Sequence, residues 1–563
     1  MNRHLLPFAF LAFLLSASGP ASHAQPNRPA PPLTRADTLR GALSPERTCY
    51  DVRWYHLDVT IDPSTKRVDG STTIRFTGVH ASRRLQVDLF ANMEVKAITL
   101  DGSAPLSFTR EFGAVLVSLP RPLSPGETHD LIVAYGGEPR VAPRAPWDGG
   151  FIWTKDSSGN PWAAVACQGT GASLWWPTKD HQADEPDSML ISVTVPPGLE
   201  NVSNGRLRSV TRLPGGWMRS AWGVTSPINN YNVTVNVGKF AHFSDVYYGA
   251  DTLTLDYYVL PEHRDAAQRQ FQQVKPMLAC FERLFGPYPF PRDGYKLVES
   301  PHLGMEHQSA VAYGNGFHNG YRGTSSSRYG LMFDFIIIHE SAHEWWGNSV
   351  TSKDIADMWI HEGFGAHAEA LFVECDRGYD AMLDYVNSKK GQVENRRPVI
   401  GQYGVHRRGS GDMYPKGSLM LHTFRGVLDN DSLWFAVIKG IAQTFRHQTI
   451  TTEDIVRYVN TTTGDDYTYL FNQYLRHADL PRLDVNLTRK GSGLSARFRW
   501  RAEVADFRMP VKVTTAPGPF TFIKPTSAWQ TLDLGTMDPK DFRVADQLFY
   551  IDTQIRINYQ EPD

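Results

Sequence analysis

With 563 residues, 41% of them hydrophobic and 21% charged, the chain holds enough apolar material for several packed cores, and the usual scale of about 150 residues per domain predicts three or four units. A formal net charge of −2 provides no electrostatic footprint for nucleic acid or for an anionic membrane, so bulk charge selects no partner. Four widely spaced cysteines, Cys49, Cys167, Cys280 and Cys375, exclude a cysteine metal knuckle and a disulfide-stapled mini-domain, and leave their pairing open.

The chain opens with a short basic start, an apolar run, and small residues at Ser22 and Ala24, the pattern of a secretory signal peptide over residues 1–24. That run is shorter than the roughly 20 residues needed to span a bilayer, and no later stretch reaches about 18 consecutive apolar residues. A soluble mature protein without a membrane span, exported to the periplasm or secreted beyond it, is the expectation. Residues 25–48, rich in Pro, Ala and Arg, read as a mobile leader. From Cys49 to about residue 248 the text changes to short alternating runs such as "YHLDVTID", "RLQVDLF" and "MLISVTVPPG", broken by Gly, Pro and Asp, which predicts a large antiparallel β domain. Over 249–480 the period shifts to that of helices, beginning with "EHRDAAQRQFQQVKPMLACFERLFG" and continuing through "RYGLMFDFIIIHESAHEWWGN" and "IHEGFGAHAEALFVECDR". Alternation returns in residues 481–563, enough for a small β-sandwich. The fold class is therefore α+β and multidomain.

Within the helical unit, "HESAHEWWGN" puts His339 and His343 four residues apart, and on an α-helix such residues are offset by only about 40°, so both imidazoles project from one face. Glu340 is turned about 100° from His339, which suits a base better than a ligand. Glu362 follows after 18 intervening residues, room for a helix end, a loop and the start of the next helix. Two His and one Glu leave the fourth position of a tetrahedral zinc ion open, the arrangement of a catalytic site and not of a closed structural one. Zinc there lowers the pKa of water toward about 7 and polarises a carbonyl oxygen.

The string from His339 to His343, with Glu362 inside "WIHEGFGAHAE", resembles the gluzincin aminopeptidases, the group of aminopeptidase N and leukotriene hydrolase, and the resemblance extends from "CYDVRWYHLDVTIDPSTKRVDGSTTIRFTG" to "FNQYLRHADLPRLDV". It implies a thermolysin-like catalytic domain, one zinc ion held by His339, His343 and Glu362, and Glu340 as general base. Within "HLGMEHQ", similar to the Gly-x-Met-Glu-Asn stretch of the family, Gly304 and Met305 would pair with substrate backbone and Glu306 would bind the α-amino group. Leu303 and His307 depart from that pattern. By the same resemblance Gln168 assists Glu306, Tyr414 in "DMYPKG" donates to the oxyanion, and Glu369 orients a histidine ligand. The stretch between Glu362 and Tyr414 is shorter than the family's, and no large helical domain follows the small β-sandwich, so an open cleft is the expectation. The activity implied is removal of the amino-terminal residue from peptides with a free amine; a thermolysin-like endopeptidase, a catalytically silent peptide-binding scaffold and a non-peptide hydrolase are the competing readings. Side-chain preference and oligomeric state are not legible.

Overall fold

The structure, a computed structural model, describes residues 32–516 and 518–560; the expected signal peptide and the first part of the expected leader lie outside them. Among the described residues no helix is long and apolar enough to cross a membrane.

The amino-terminal β region is organised by strand Tyr50–Asp62, which pairs antiparallel with Arg67–Gly78 and parallel with Ser188–Val195. Apart from that one parallel pair its seven-stranded sheet is antiparallel. Val52, then Tyr55, Leu57, Val59 and Ile61, are buried: alternation holds on both sides of an irregularity at Arg53, and the extra residue there shifts which parity faces inward. A four-stranded sheet packs in the same core, and its strand Pro161–Ala166 delivers the chain to Gln168.

The next sheet has five strands in the order Ala241–Tyr248, Thr252–Val259, Tyr295–Glu299, Val311–Tyr313 and Gly304–Met305. Its first strand starts at Ala241, so the change of sheet precedes the expected boundary at residue 248. Gly304–Met305 forms its edge, paired on one side only, to Val311–Tyr313. The helical pattern from residue 262 is interrupted: Arg264–Gln270 passes through a tight turn at Phe271–Gln273 into Val274–Phe285. Pro276 has no N–H to return to the carbonyl four residues earlier, so the helix restarts there with the proline in its first turn. A disulfide joins Cys280 of that helix to Cys375 of helix Trp359–Arg377, while Cys49 and Cys167 are free and buried. Toward the carboxyl end, strands Arg482–Lys490, Gly493–Arg501, Gln530–Asp533 and Asp552–Gln560 form a sheet whose inner side chains continue the core of the helical region.

The expected leader does not run to residue 48. Arg35–Gly41 and Pro45–Thr48 are helices, the first closed by a reciprocal capping box between Thr34 and Asp37 and the second started by a proline. What anchors them is Arg47, wholly buried, whose guanidinium lies 2.6 Å from Asp88 and donates to the carbonyls of Arg40 and Ala42 at 2.7 and 3.0 Å. Composition hides this because proline and arginine also serve at helix starts and in buried ion pairs. Removing one partner of such a pair leaves an uncompensated buried charge. Arg47→Ala should cost about 3–5 kcal/mol, measured by urea unfolding; a loss below about 0.5 kcal/mol, the size of an ordinary surface substitution, would show that this pair does not hold the segment.

Candidate metal centre and substrate cleft

The helix Phe335–Ala342 is shorter than its apolar pattern suggests because Asp334 stops it, accepting from the N–H groups of Ile336 and Ile337 at 3.0 and 3.4 Å. Asp334 is buried and also accepts from the Tyr313 hydroxyl at 2.7 Å, which ties the helix start to the five-stranded sheet. His343 lies just beyond the helix end but keeps right-handed helical geometry, so the spacing of its imidazole from that of His339 survives.

The second ring nitrogens decide what the two histidines present to the site. His339 Nδ1 stands 2.7 Å from Glu369 Oε1, and His343 Nδ1 stands 2.8 Å from the carbonyl of Trp346. A proton on each Nδ1, donated to these acceptors, leaves both Nε2 atoms as bare lone pairs. They face one another at 3.3 Å, and Glu362 Oε2 lies 3.6 and 3.4 Å from them. Glu362 Oε2 is buried and makes no hydrogen bond to any described residue. Three donors that converge on one point with a lone pair available to each fit a cation. Glu369 is itself held, accepting from the Tyr385 hydroxyl and the Lys389 ammonium at 2.6 Å each. Burial alone would raise its carboxyl, but Lys389 and His339 outweigh that and bring it down to about 2.

Beside this cluster lies a cleft of about 560 Å³ whose walls include Gln168, Gly304, Met305, Glu306, Glu340 and Tyr414. Gln168 reaches in from the β region and donates one amide N–H to Glu306 and the other, at 2.9 Å, to Glu362. Tyr231 also donates to Glu306, at 3.0 Å, so Glu306 is held from two directions. Burial pushes its carboxyl above the usual range. A Cβ at residue 304 would lie 2.8 Å from Glu340 Oε1 and 2.8 Å from Ile336 Cγ2, so Gly304 leaves room for both side chains against the edge strand. Tyr414 arrives through a second close contact, between helices Trp359–Arg377 and Pro415–Leu428: a Cβ on Gly417 would sit 2.8 Å from the Cα of Gly363. That contact brings Tyr414, at the start of its helix, next to Glu362, with its ring centroid 6.1 Å from that of His339. Burial, and after it the charge of Glu362, pushes the Tyr414 hydroxyl well above its usual pKa, so it stays a proton donor.

Every site residue named from the sequence thus lies in or against this one cleft. Residues 269–474 match the peptidase family M1 domain. The chain carries an M1 peptidase domain. Among curated proteins it is similar to endoplasmic reticulum aminopeptidase 1 of Mus musculus, 21% identical over 378 residues that cover 64% of this chain and 38% of that protein. It is also similar to glutamyl aminopeptidase of Homo sapiens, 26% identical over 197 residues, 34% of this chain and 20% of that protein. The chain therefore spans less than two fifths of the length of the curated relatives it matches. In fold it is similar to an M1 zinc metallopeptidase of Deinococcus radiodurans, with a TM-score of 0.64, 23% identity, and cover of 77% of this chain and 94% of that one. A variant of that metallopeptidase bound to a Tyr-Ser-Ala substrate gives the same TM-score at 22% identity. Zinc is the metal that the family implies, and the donor set of His339, His343 and Glu362 suits it.

Sequence reasoning missed three members of the site. Tyr231 lies on the short turn Asn230–Asn232 and reads as one more residue of a β stretch, while Tyr385, within helix Tyr379–Ser388, and Lys389, on the turn that follows it, support the centre only through Glu369. No local signal marks them. Asp334, in contrast, precedes a run of apolar residues and was recognisable as a cap. In the metal-free protein burial lowers and Glu306 and Glu362 raise the pKa of His343, with a net rise to about 9. A proton there competes with the cation, so zinc affinity should strengthen as pH rises toward 9, by up to about tenfold per unit for each proton displaced. Glu369→Gln should weaken zinc binding by about 10- to 100-fold. Competition titrations against a chelator at several pH values check both; equal affinity in the variant would remove Glu369 from the metal's support.

Proposed function

We propose that the protein is an exported aminopeptidase that uses one zinc ion to hydrolyse the first peptide bond of peptides with a free amino terminus. The observation that carries this reading is the pairing of Glu306 with Glu362 through the Gln168 amide: a buried carboxylate suited to an ammonium group stands beside a metal ligand. An endopeptidase has no ammonium to bind at that position, and a buried acid that met only neutral backbone would carry its desolvation cost without return. A peptide-binding scaffold would have no use for the proton-transfer groups Glu340 and Tyr414. The aminopeptidase names of the curated relatives support the same reading, as does the peptide bound by the solved metallopeptidase.

Zinc, when bound, supplies Lewis acidity that lowers the pKa of water and polarises the scissile carbonyl. The chain's own groups do the rest. Glu306, with Gln168 and Tyr231 fixing its position, holds the α-ammonium and so sets which bond lies over the triad. The edge strand Gly304–Met305 offers unpaired backbone to the substrate's main chain. Glu340 takes the proton from the attacking water and hands it to the departing nitrogen. Burial pushes its carboxyl up to about 7, against the opposing charges of His339 and His343, which suits a group that must both accept and release a proton near neutrality. The Tyr414 hydroxyl donates to the developing oxyanion.

Amino-acid amide dyes, free and N-acetylated, are the direct test, with the protein assayed before and after chelation and zinc add-back. Turnover of the free-amine dyes alone, lost on chelation and restored by zinc, is expected; equal turnover of acetylated dyes would overturn the aminopeptidase reading. Glu340→Gln should keep its zinc and lose about 10²- to 10⁴-fold in kcat. Glu306→Ala should lose about 1.5–3 kcal/mol of binding to the ammonium group, read as a fall in kcat/KM for free-amine substrates.

A further inference from the structure

Three basic side chains line the cleft, and two are committed: His339 to the metal triad and Lys389 to Glu369. The third, Arg408, is exposed, and among the described residues it makes neither an ion pair nor a hydrogen bond. Its backbone, in contrast, is fixed on both sides. His406 N donates to Asp37 O at 2.9 Å, the Arg407 guanidinium lies 3.2 Å from Asp37 Oδ2, and His406 Nε2 lies 3.2 Å from Gly169 O. A Cβ on Gly41 would collide with the backbone of Val405, and one on Gly409 with the carbonyl of Val399. The segment is clamped between the helix Arg35–Gly41 and the turn that carries Gln168, and only the Arg408 side chain is left to the cleft.

Its place is the amine end. Arg408 Nη1 stands 3.7 Å from the position of a Cβ on Gly169, the residue after Gln168, and its charge acts on the Tyr414 hydroxyl. Apart from Glu369, which Lys389 neutralises, the acids that line the cleft are Glu306, Glu340 and Glu362, which repel an acidic group on a substrate. A guanidinium left unpaired at such a point, on a rigid backbone, offers a planar fork of donors that matches a carboxylate.

We propose that Arg408 is a specificity-determining residue that receives a substrate carboxylate at the amine end of the cleft, the side chain of an amino-terminal Asp or Glu being the first source and the free carboxyl end of a very short peptide the second. This rests on the aminopeptidase reading above. It turns an acidic wall, which alone favours basic substrates, into one that accepts an acid where Arg408 reaches.

The test compares kcat/KM for Glu-, Gln- and Lys-anilides, and for a dialanine substrate with free and amidated carboxyl ends, in the wild-type protein, Arg408→Ala, Arg408→Lys and Arg408→Glu. The Glu/Gln ratio should fall roughly ten- to hundredfold in Arg408→Ala, recover in part in Arg408→Lys, and give way to a preference for Lys in Arg408→Glu. If the free/amidated ratio falls in its place, the carboxylate is the chain terminus. Both ratios unchanged within twofold would overturn the proposal. Calorimetric binding of L-glutamate against L-glutamine to zinc-loaded wild type and Arg408→Ala separates this from failure of the aminopeptidase reading, because it needs no turnover. A glutamate preference that vanishes with the guanidinium supports the proposal even if no anilide is cleaved, and equal binding of the two amino acids by the wild type counts against it. Since the Arg408 side chain makes no hydrogen bond or ion pair among the described residues, the Arg408→Ala protein should melt with the wild type, and a lowered melting temperature would show that the side chain is structural.

Discussion

Glu306, Glu340 and Glu362 lie close to His339 and His343, and all five side chains are buried. Like charges at that distance cannot all persist in a low dielectric unless cations are shared among them. On the proposed function, positive charge from outside the chain relieves this repulsion: a metal ion against the imidazole nitrogens and Glu362, and an ammonium group against Glu306. In that reading the protein supplies the acceptors, and the compensating charges come from cofactor and substrate. The Gln168 amide, with a donor for each of two carboxylates, couples the two requirements into one geometry.

The rest of the fold serves to hold these groups against their repulsion. Asp334 ties the first site helix to the five-stranded sheet, and the disulfide Cys280–Cys375 ties the second to its neighbour. The Gly363–Gly417 contact lets two helices approach closely enough to deliver Tyr414, and Gly304 leaves room for Glu340. Outside these, Lys389 and Tyr385 fix Glu369, which fixes His339. The rigidity is concentrated on the metal side. Beside the turn that carries Gln168, the pinned segment presents the Arg408 guanidinium, which the proposal above makes the adjustable part of the site.

Much of the fold was legible because periodicity is local. The order of β region, helical region and β region follows from where the apolar spacing changes between two and 3.6 residues. Failures fell where a single long-range contact overrode the pattern. The helix from residue 262 breaks at a proline that the apolar spacing conceals, the next begins only at Asp334, and the proline-rich segment near residue 40 is ordered by the buried Arg47–Asp88 pair. Such a pair has no period and joins residues far apart in the chain.

His339, Glu340, His343 and Glu362 could be found from spacing alone, because two turns of helix and one short connection dictate where those side chains point. Glu306, Gln168, Tyr414 and Glu369 were named only through resemblance to a family, and it is tertiary structure that brings them to one cleft from separate sheets and helices. Tyr231, Tyr385, Lys389 and Arg408 were invisible, since nothing in a tyrosine or a lysine states which distant carboxylate it meets, and nothing in an arginine states that it meets none. By itself the sequence determined the metal donors and the order of the folding units, which are matters of local geometry; the tertiary structure alone decided how each donor is oriented and which charge is left free for a substrate, because those depend on partners that the chain brings together only when it folds.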